Sequence, residues 1–203
     1  MKTPHIVYLH GFLSSPLSEK AQQTGHWMAA QGLADHYHCP ALPMSPRECA
    51  TVIEQKIREL DGEKICMVGS SLGGFLATWA VEEFGLERAV LVNPAVRPYA
   101  LIRQYLGPQQ NYQTGEIHDI KAEYADDLLA FERAPSNTEG YWLLLQTADE
   151  VLDYRQAVDF YRGCHQSIED GGNHSFVAYA DWLPRIWEFA NARSTKHHPG
   201  TKD

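Results

Sequence analysis

Six short apolar runs recur along the chain, each stopped by glycine, proline or a polar cluster. Residues 5–10 (His-Ile-Val-Tyr-Leu-His) end at Gly11, residues 65–70 at a glycine–serine turn, and residues 88–93 at Pro94. Residues 141–146 form another such run, and residues 37–41 and 164–168 are shorter candidates. Between these runs the apolar positions change to helical spacing. Residues 18–31 predict a helix closed by Gly32. Residues 46–60 predict a second, with Ser45 as N-cap, Glu48 at capping-box spacing and Asp61-Gly62 as the stop. A helix follows the third run to about Gly85, residues 154–162 predict another, and residues 176–191 predict a last one carrying Trp182, Ile186, Trp187 and Phe189.

Near-continuous apolar strands alternating with helices specify a parallel sheet of about six strands covered on both faces. The rhythm breaks at residues 96–138, where no clean strand is legible. The segment is too long for a plain connection and is expected to form a small cap over one end of the sheet. Residues 1–193 then make one α/β domain, and the polar stretch 194–203 is expected to be a disordered tail.

The third run leads into Gly69-Ser70-Ser71-Leu72-Gly73-Gly74, and helix-forming residues follow at once. Strand, sharp turn and helix with a serine at the apex lift a hydroxyl clear of the backbone, while the helix N-terminus offers N–H groups where an oxyanion would form. Ser71 is the apex, because glycines stand two residues to either side, whereas Val68 stands two before Ser70. A bare Gly-x-Ser-x-Gly recurs by composition in roughly one chain in fifteen of this length, so its context decides its meaning. A Walker-type phosphate loop would require Gly-Lys-Ser/Thr, which is absent.

A nucleophilic serine needs a base, and the base needs an orienting group. In a parallel sheet both belong in loops after the strands. His174 satisfies this: it lies in Gly171-Gly172-Asn173-His174-Ser175-Phe176, after the last strand and before the last helix. His165 falls within a strand, and His36-x-His38-Cys39 lacks a second cluster that would complete a metal site. Asp149, Glu150 and Asp153 follow the strand at 141–146. Asp153 has a capping explanation through Asp153-x-x-Gln156, which leaves Asp149 as the preferred carboxylate. The order Ser71, Asp149, His174 is that of α/β-hydrolases. The N–H groups of Leu72 and of Phe12, in His10-Gly11-Phe12, are the expected oxyanion donors, and His10 is expected to shape that loop.

The bulk properties narrow the setting. A net charge of −9 argues against a general nucleic-acid binder. No apolar stretch approaches a membrane span, and the N-terminus carries no signal-peptide core. Four scattered cysteines without C-x-x-C spacing fit free thiols in a reducing compartment, so the cytoplasm is the expected location.

Taken together, His10–Ser15, Gly69–Gly74, Asp149–Tyr154 and Gly171–Phe176 resemble the α/β-hydrolase superfamily, in particular the small bacterial esterases of the YqiA/YcfP type. The resemblance implies a serine esterase with Ser71, Asp149 and His174 as triad, and a sheet lacking the two N-terminal strands of larger hydrolases. Asn173 stands where an aspartate is frequent in that family. The expected substrate is a small-molecule acyl ester, cleaved without metal or cofactor and without an obligate protein partner. An acyl-thioester is the close alternative. A non-catalytic binding protein on the same fold is the rival from another class, usually marked by loss of a triad member.

Overall fold

The computed structural model describes residues 2–192. Its elements run β1 (His5–Leu9), α1 (Glu19–Ala30), β2 (Tyr37–His38), α2 (Pro46–Glu59), β3 (Ile65–Ser70), α3 (Leu72–Phe84), β4 (Arg88–Val92), α4 (Pro98–Ile102), β5 (Gly107–Gln110), β6 (Ile117–Ile120), α5 (Glu123–Ala130), β7 (Tyr141–Gln146), α6 (Tyr154–Phe160), β8 (His165–Glu169) and α7 (Leu183–Asn191). Six strands form one sheet in the order β2-β1-β3-β4-β7-β8, and every pairing in it is parallel.

Period-two alternation divides each central strand between two cores. Val7, Leu9, Met67, Leu91, Leu143 and Leu145 face one side, where Ile53 of α2, Leu76 and Ala80 of α3 and Ala157 of α6 cover them. Ile6, Tyr8, Val68, Val90, Val92 and Leu144 face the other, against Ala21 and Met28 of α1 and Leu183, Ile186 and Ala190 of α7. Burial on both faces is why these strands read as continuous apolar runs. The C-terminal strand ends all point one way, so the loops that follow them gather on one edge.

Several local expectations are corrected. Residues 96–138 contain an antiparallel hairpin, β5–β6, as well as the helices α4 and α5. Its turn is anchored by Asn111, whose Oδ1 accepts from the N–H groups of Gln113 and Thr114 and whose Nδ2 donates to the Ser14 carbonyl. The strand expected over residues 37–41 shortens to Tyr37–His38. Ser45 stands at the N-cap of α2 but makes no capping hydrogen bond, so the capping box does not form. The last helix begins at Leu183, after a 3-10 turn at Tyr179–Trp182, because Phe176 and Ala178 hold φ of 62° and 60° and cannot continue a helix. The tail expected at 194–203 lies outside the described residues.

Cys49, Cys66 and Cys164 are buried and free, and burial pushes the thiols of Cys49 and Cys66 up to about 12. No helix of the described residues is long and apolar enough to cross a membrane.

Candidate active site

Ser71 sits between β3 and α3 with φ 56° and ψ −121°. A non-glycine residue rarely adopts this conformation, and holding it costs about 1–3 kcal/mol. The surroundings over-determine it. The Ser71 N–H donates to the Val92 carbonyl at 3.1 Å, and the Ser71 carbonyl accepts from the Gly74 and Ala95 N–H groups at 2.9 and 3.0 Å. The flanking glycines are a steric requirement: a Cβ on Gly69 would collide with the Gly73 carbonyl, and one on Gly73 with the Leu9 carbonyl. The elbow is thus wedged against the end of β1.

His174 arrives from the loop after β8. Its Nε2 lies 3.1 Å from Ser71 Oγ, and its Nδ1 lies 2.8 Å from Asp149 Oδ2 and 3.0 Å from Oδ1. An ionised carboxylate only accepts, so Nδ1 carries the proton and Nε2 is left bare to receive the Ser71 hydroxyl. The Asp149 side chain is 2% exposed. Its Oδ1 also accepts from the N–H groups of Val151 and Leu152 at 2.9 and 2.8 Å, which fixes the carboxylate independently of the histidine. Asp153 lies elsewhere, capping α6 through the Arg155 N–H. The structure therefore brings Ser71, His174 and Asp149 together and leaves Asp153 out.

The loop after β1 closes the other side. A Cβ on Gly11 would lie 3.3 Å from Ser71 Cβ, so the Phe12 segment runs directly beside the serine. His10 is 2% exposed. Its Nε2 accepts from the Leu42 N–H at 3.0 Å, and its Nδ1 lies 3.1 Å from the Gly11 carbonyl, so this imidazole is neutral and ties the loop to the chain after β2. Burial pushes its pKa down, in keeping with that role. Among the described residues, no acceptor takes the backbone N–H of Phe12 or of Leu72.

Two buried amides at strand ends hold the histidine loop, and neither was singled out from the sequence. Asn93, 2% exposed and with φ 41°, follows β4. Its Nδ2 donates to the Asn173 and His174 carbonyls at 3.0 and 3.3 Å, and its Oδ1 accepts from the Gln146 N–H at 3.0 Å. Gln146, at the end of β7, accepts through Oε1 from the N–H groups of Asn173 and Val177 and donates through Nε2 to Glu169 and the Val177 carbonyl. Gly172 is required here, since a Cβ would strike the Gln146 side chain. Lys20 of α1 adds a bond from Nζ to the Ser175 carbonyl at 2.8 Å. Burial lowers its pKa to about 8.

The serine and histidine open into a cavity of about 480 Å³. Phe12, Leu101, Tyr105, Tyr112, Val151 and Leu152 make its walls mainly apolar. Residues 96–138 divide between two tasks: Ile120, Tyr124 and Leu128 pack into the core, whereas Leu101 and Tyr105 line the cavity, with Tyr105 edge-on to Phe12 at 5.6 Å. Leu106 and Leu129 are exposed and serve neither. Among the described residues, no group of three or more His, Cys, Asp or Glu side chains is arranged to hold a metal ion.

Solved structures share this architecture. The chain is similar to Est1E from Butyrivibrio proteoclasticus at 16% identity, over 93% of this chain and 87% of that one, with a TM-score of 0.70. It is similar to the mouse alpha/beta hydrolase domain-containing protein 10 at 16% identity, covering 92% and 89% of the two chains with a TM-score of 0.66. It is also similar to the Paleococcus ferrophilus monoacylglycerol lipase at 16% identity, covering 94% and 96% with a TM-score of 0.64. At such identities the likeness establishes the α/β-hydrolase fold, and the activity is argued from the site. A family model accounts for nearly all of the sequence, residues 5–191, and the chain belongs to that family, the uncharacterised protein family UPF0227.

Proposed function

We propose that this protein is a serine hydrolase that cleaves small acyl esters through an acyl-enzyme, with Ser71, His174 and Asp149 as its triad. Residues 96–138 serve as the cap of a single catalytic domain. The observation that carries this reading is the unbroken relay from Ser71 Oγ through His174 to the buried Asp149 carboxylate, placed at the floor of an apolar cavity.

The steps follow from the geometry. Ser71 Oγ attacks the ester carbonyl as His174 Nε2 takes its proton, and the Asp149 carboxylate stabilises the imidazolium through Nδ1–H. The carbonyl oxygen becomes an oxyanion and accepts from the Leu72 and Phe12 N–H groups, a contribution of about 3–4 kcal/mol per donor in comparable sites. The imidazolium returns its proton to the departing alkoxide, and the C–O bond breaks. Water then enters, gives its proton to Nε2 and attacks the acyl carbon. Ser71 leaves with that proton restored, releasing the carboxylic acid. Every proton is accounted for by His174, so the reaction needs no metal or cofactor. A thioester follows the same sequence with a thiolate as leaving group, whereas an amide demands stronger protonation of its nitrogen.

The test is turnover of p-nitrophenyl esters and matched thioesters of increasing chain length by the purified protein and by Ser71→Ala. The expected result is hydrolysis by the wild type and a loss of at least about 10³-fold in kcat for the variant, with unchanged circular dichroism. Full activity in Ser71→Ala would exclude this mechanism.

A further inference from the structure

The serine-hydrolase reading leaves the substrate's charge open, and one side chain bears on it. Glu150 lines the cavity together with Ser71 and His174. Its Oε2 accepts from the His174 N–H at 2.9 Å, which places this solvent-exposed carboxylate beside the reacting centre. Among the described residues that line this cavity, Glu150 is the only Asp, Glu, Lys or Arg. The Asp149 charge is engaged by His174 and two backbone N–H groups, and it lies behind the imidazole. The Lys20 ammonium is held by the Ser175 carbonyl and does not line the cavity. Arg97 lies beyond the Leu101, Val151 and Leu152 wall, in an adjoining cavity of about 690 Å³ shared with Asp153 and Asp159. A group bound next to Ser71 therefore meets mainly apolar side chains, the polar groups of Gln104, Tyr105 and Tyr112, and one solvent-exposed negative charge with no cationic side chain in the lining.

We infer that Glu150 makes this site selective for esters whose acyl chain carries no negative charge, excluding half-esters of short dicarboxylic acids. The inference rests on the hydrolase reading above. On this reading a carboxylate three or four carbons from the scissile carbonyl would sit in the first cavity, whose lining holds Glu150 and not Arg97. Like charges about 7 Å apart at an effective dielectric near 40 repel enough to change a rate constant by roughly tenfold. Building repulsion against the wrong substrate is a recognised route to specificity.

The experiment compares two esters of nearly equal size, p-nitrophenyl pentanoate and p-nitrophenyl hemiglutarate, with wild type, Glu150→Gln and Glu150→Lys. Any apolar cavity disfavours a carboxylate through desolvation, so the decisive quantity is how the ratio of kcat/KM changes between proteins. Glu150→Gln retains an oxygen that can accept from the His174 N–H. The pentanoate-to-hemiglutarate ratio should fall about tenfold in that variant and further in Glu150→Lys. Raising NaCl to about 0.5 M should lower the ratio in wild type and leave it unchanged in Glu150→Gln. An unchanged ratio across the three proteins, with pentanoate still hydrolysed by wild type, overturns this inference alone. If wild type hydrolyses neither ester, the hydrolase reading fails and takes the inference with it.

Discussion

Asn93→Asp isolates the buried amide that holds the histidine loop. The substitution is nearly isosteric and keeps an oxygen to accept from the Gln146 N–H. Aspartate also tolerates the left-handed backbone at φ 41°, so strain changes little. What disappears is the Nδ2 donor to the Asn173 and His174 carbonyls. The Asn173 carbonyl keeps its bond from the Phe176 N–H at 3.0 Å, so only the part-buried His174 carbonyl loses its donor, and the expected destabilisation is about 1–3 kcal/mol. On the proposed chemistry a displacement of about 1 Å at His174 would lower kcat about 10²-fold. The cavity walls are untouched, so KM should stay within about threefold. The new carboxyl faces two carbonyl oxygens, which favours its protonated form, and that form can donate. Part of the lost kcat should therefore return as pH falls toward about 5, once the wild-type pH profile is divided out. Urea denaturation and steady-state ester hydrolysis measure the two effects. A stability loss under about 0.5 kcal/mol with wild-type kcat would refute the positioning argument.

Other outcomes follow from the same geometry. Asp149→Asn should lower kcat by about 10³- to 10⁴-fold by removing the partner that sets the His174 tautomer, while Asp153→Asn should change kcat less than about threefold. The reverse ordering would move the orienting role from Asp149 to Asp153. At the opposite edge of the sheet His5, His36 and His38 converge, with His5 Nδ1 2.9 Å from His38 Nε2. Burial, and then neighbouring imidazoles, push the pKa values of His5 and His38 below 6.5, while Glu63 and Glu59 oppose this and Lys56 adds to it at His38. The unfolded chain thus takes up protons first. Stability is full above about pH 6.5 and falls as pH drops through that value toward the folded-state pKa values. His38→Asn should flatten this slope in urea denaturation measured from pH 5 to 8, and an unaltered slope would contradict it.

The sheet and the elbow were legible because their causes are local. Continuous apolar runs follow from burial on both faces, and Gly69 and Gly73 are demanded by contacts that admit no side chain. Asp149 could be told from Asp153 because capping chemistry already accounted for the latter. The β5–β6 hairpin was hidden because Gly-Pro-Gln-Gln carries no strand propensity; its place depends on Asn111 gripping Ser14, far away in sequence. The late start of α7 depends on left-handed Phe176 and Ala178, residue types that give no sign of that conformation. Asn93 and Gln146 were invisible as a pair, since polar residues at strand ends become a support only when the topology sets β4 beside β7. The convergence of His5, His36 and His38 had the same cause, the parallel pairing of β1 with β2. The glycine-rich loop at 171–174, by contrast, announced His174 through its position in the chain.

The central claim is that Ser71 is a nucleophile activated by His174. Stoichiometric labelling with a fluorophosphonate, located by peptide mass spectrometry, tests it most directly. The account predicts one equivalent of label on Ser71, none in Ser71→Ala, and a labelling rate at least about 10²-fold slower in His174→Ala. An unlabelled Ser71 in folded wild-type protein, or equal labelling with and without His174, would contradict it.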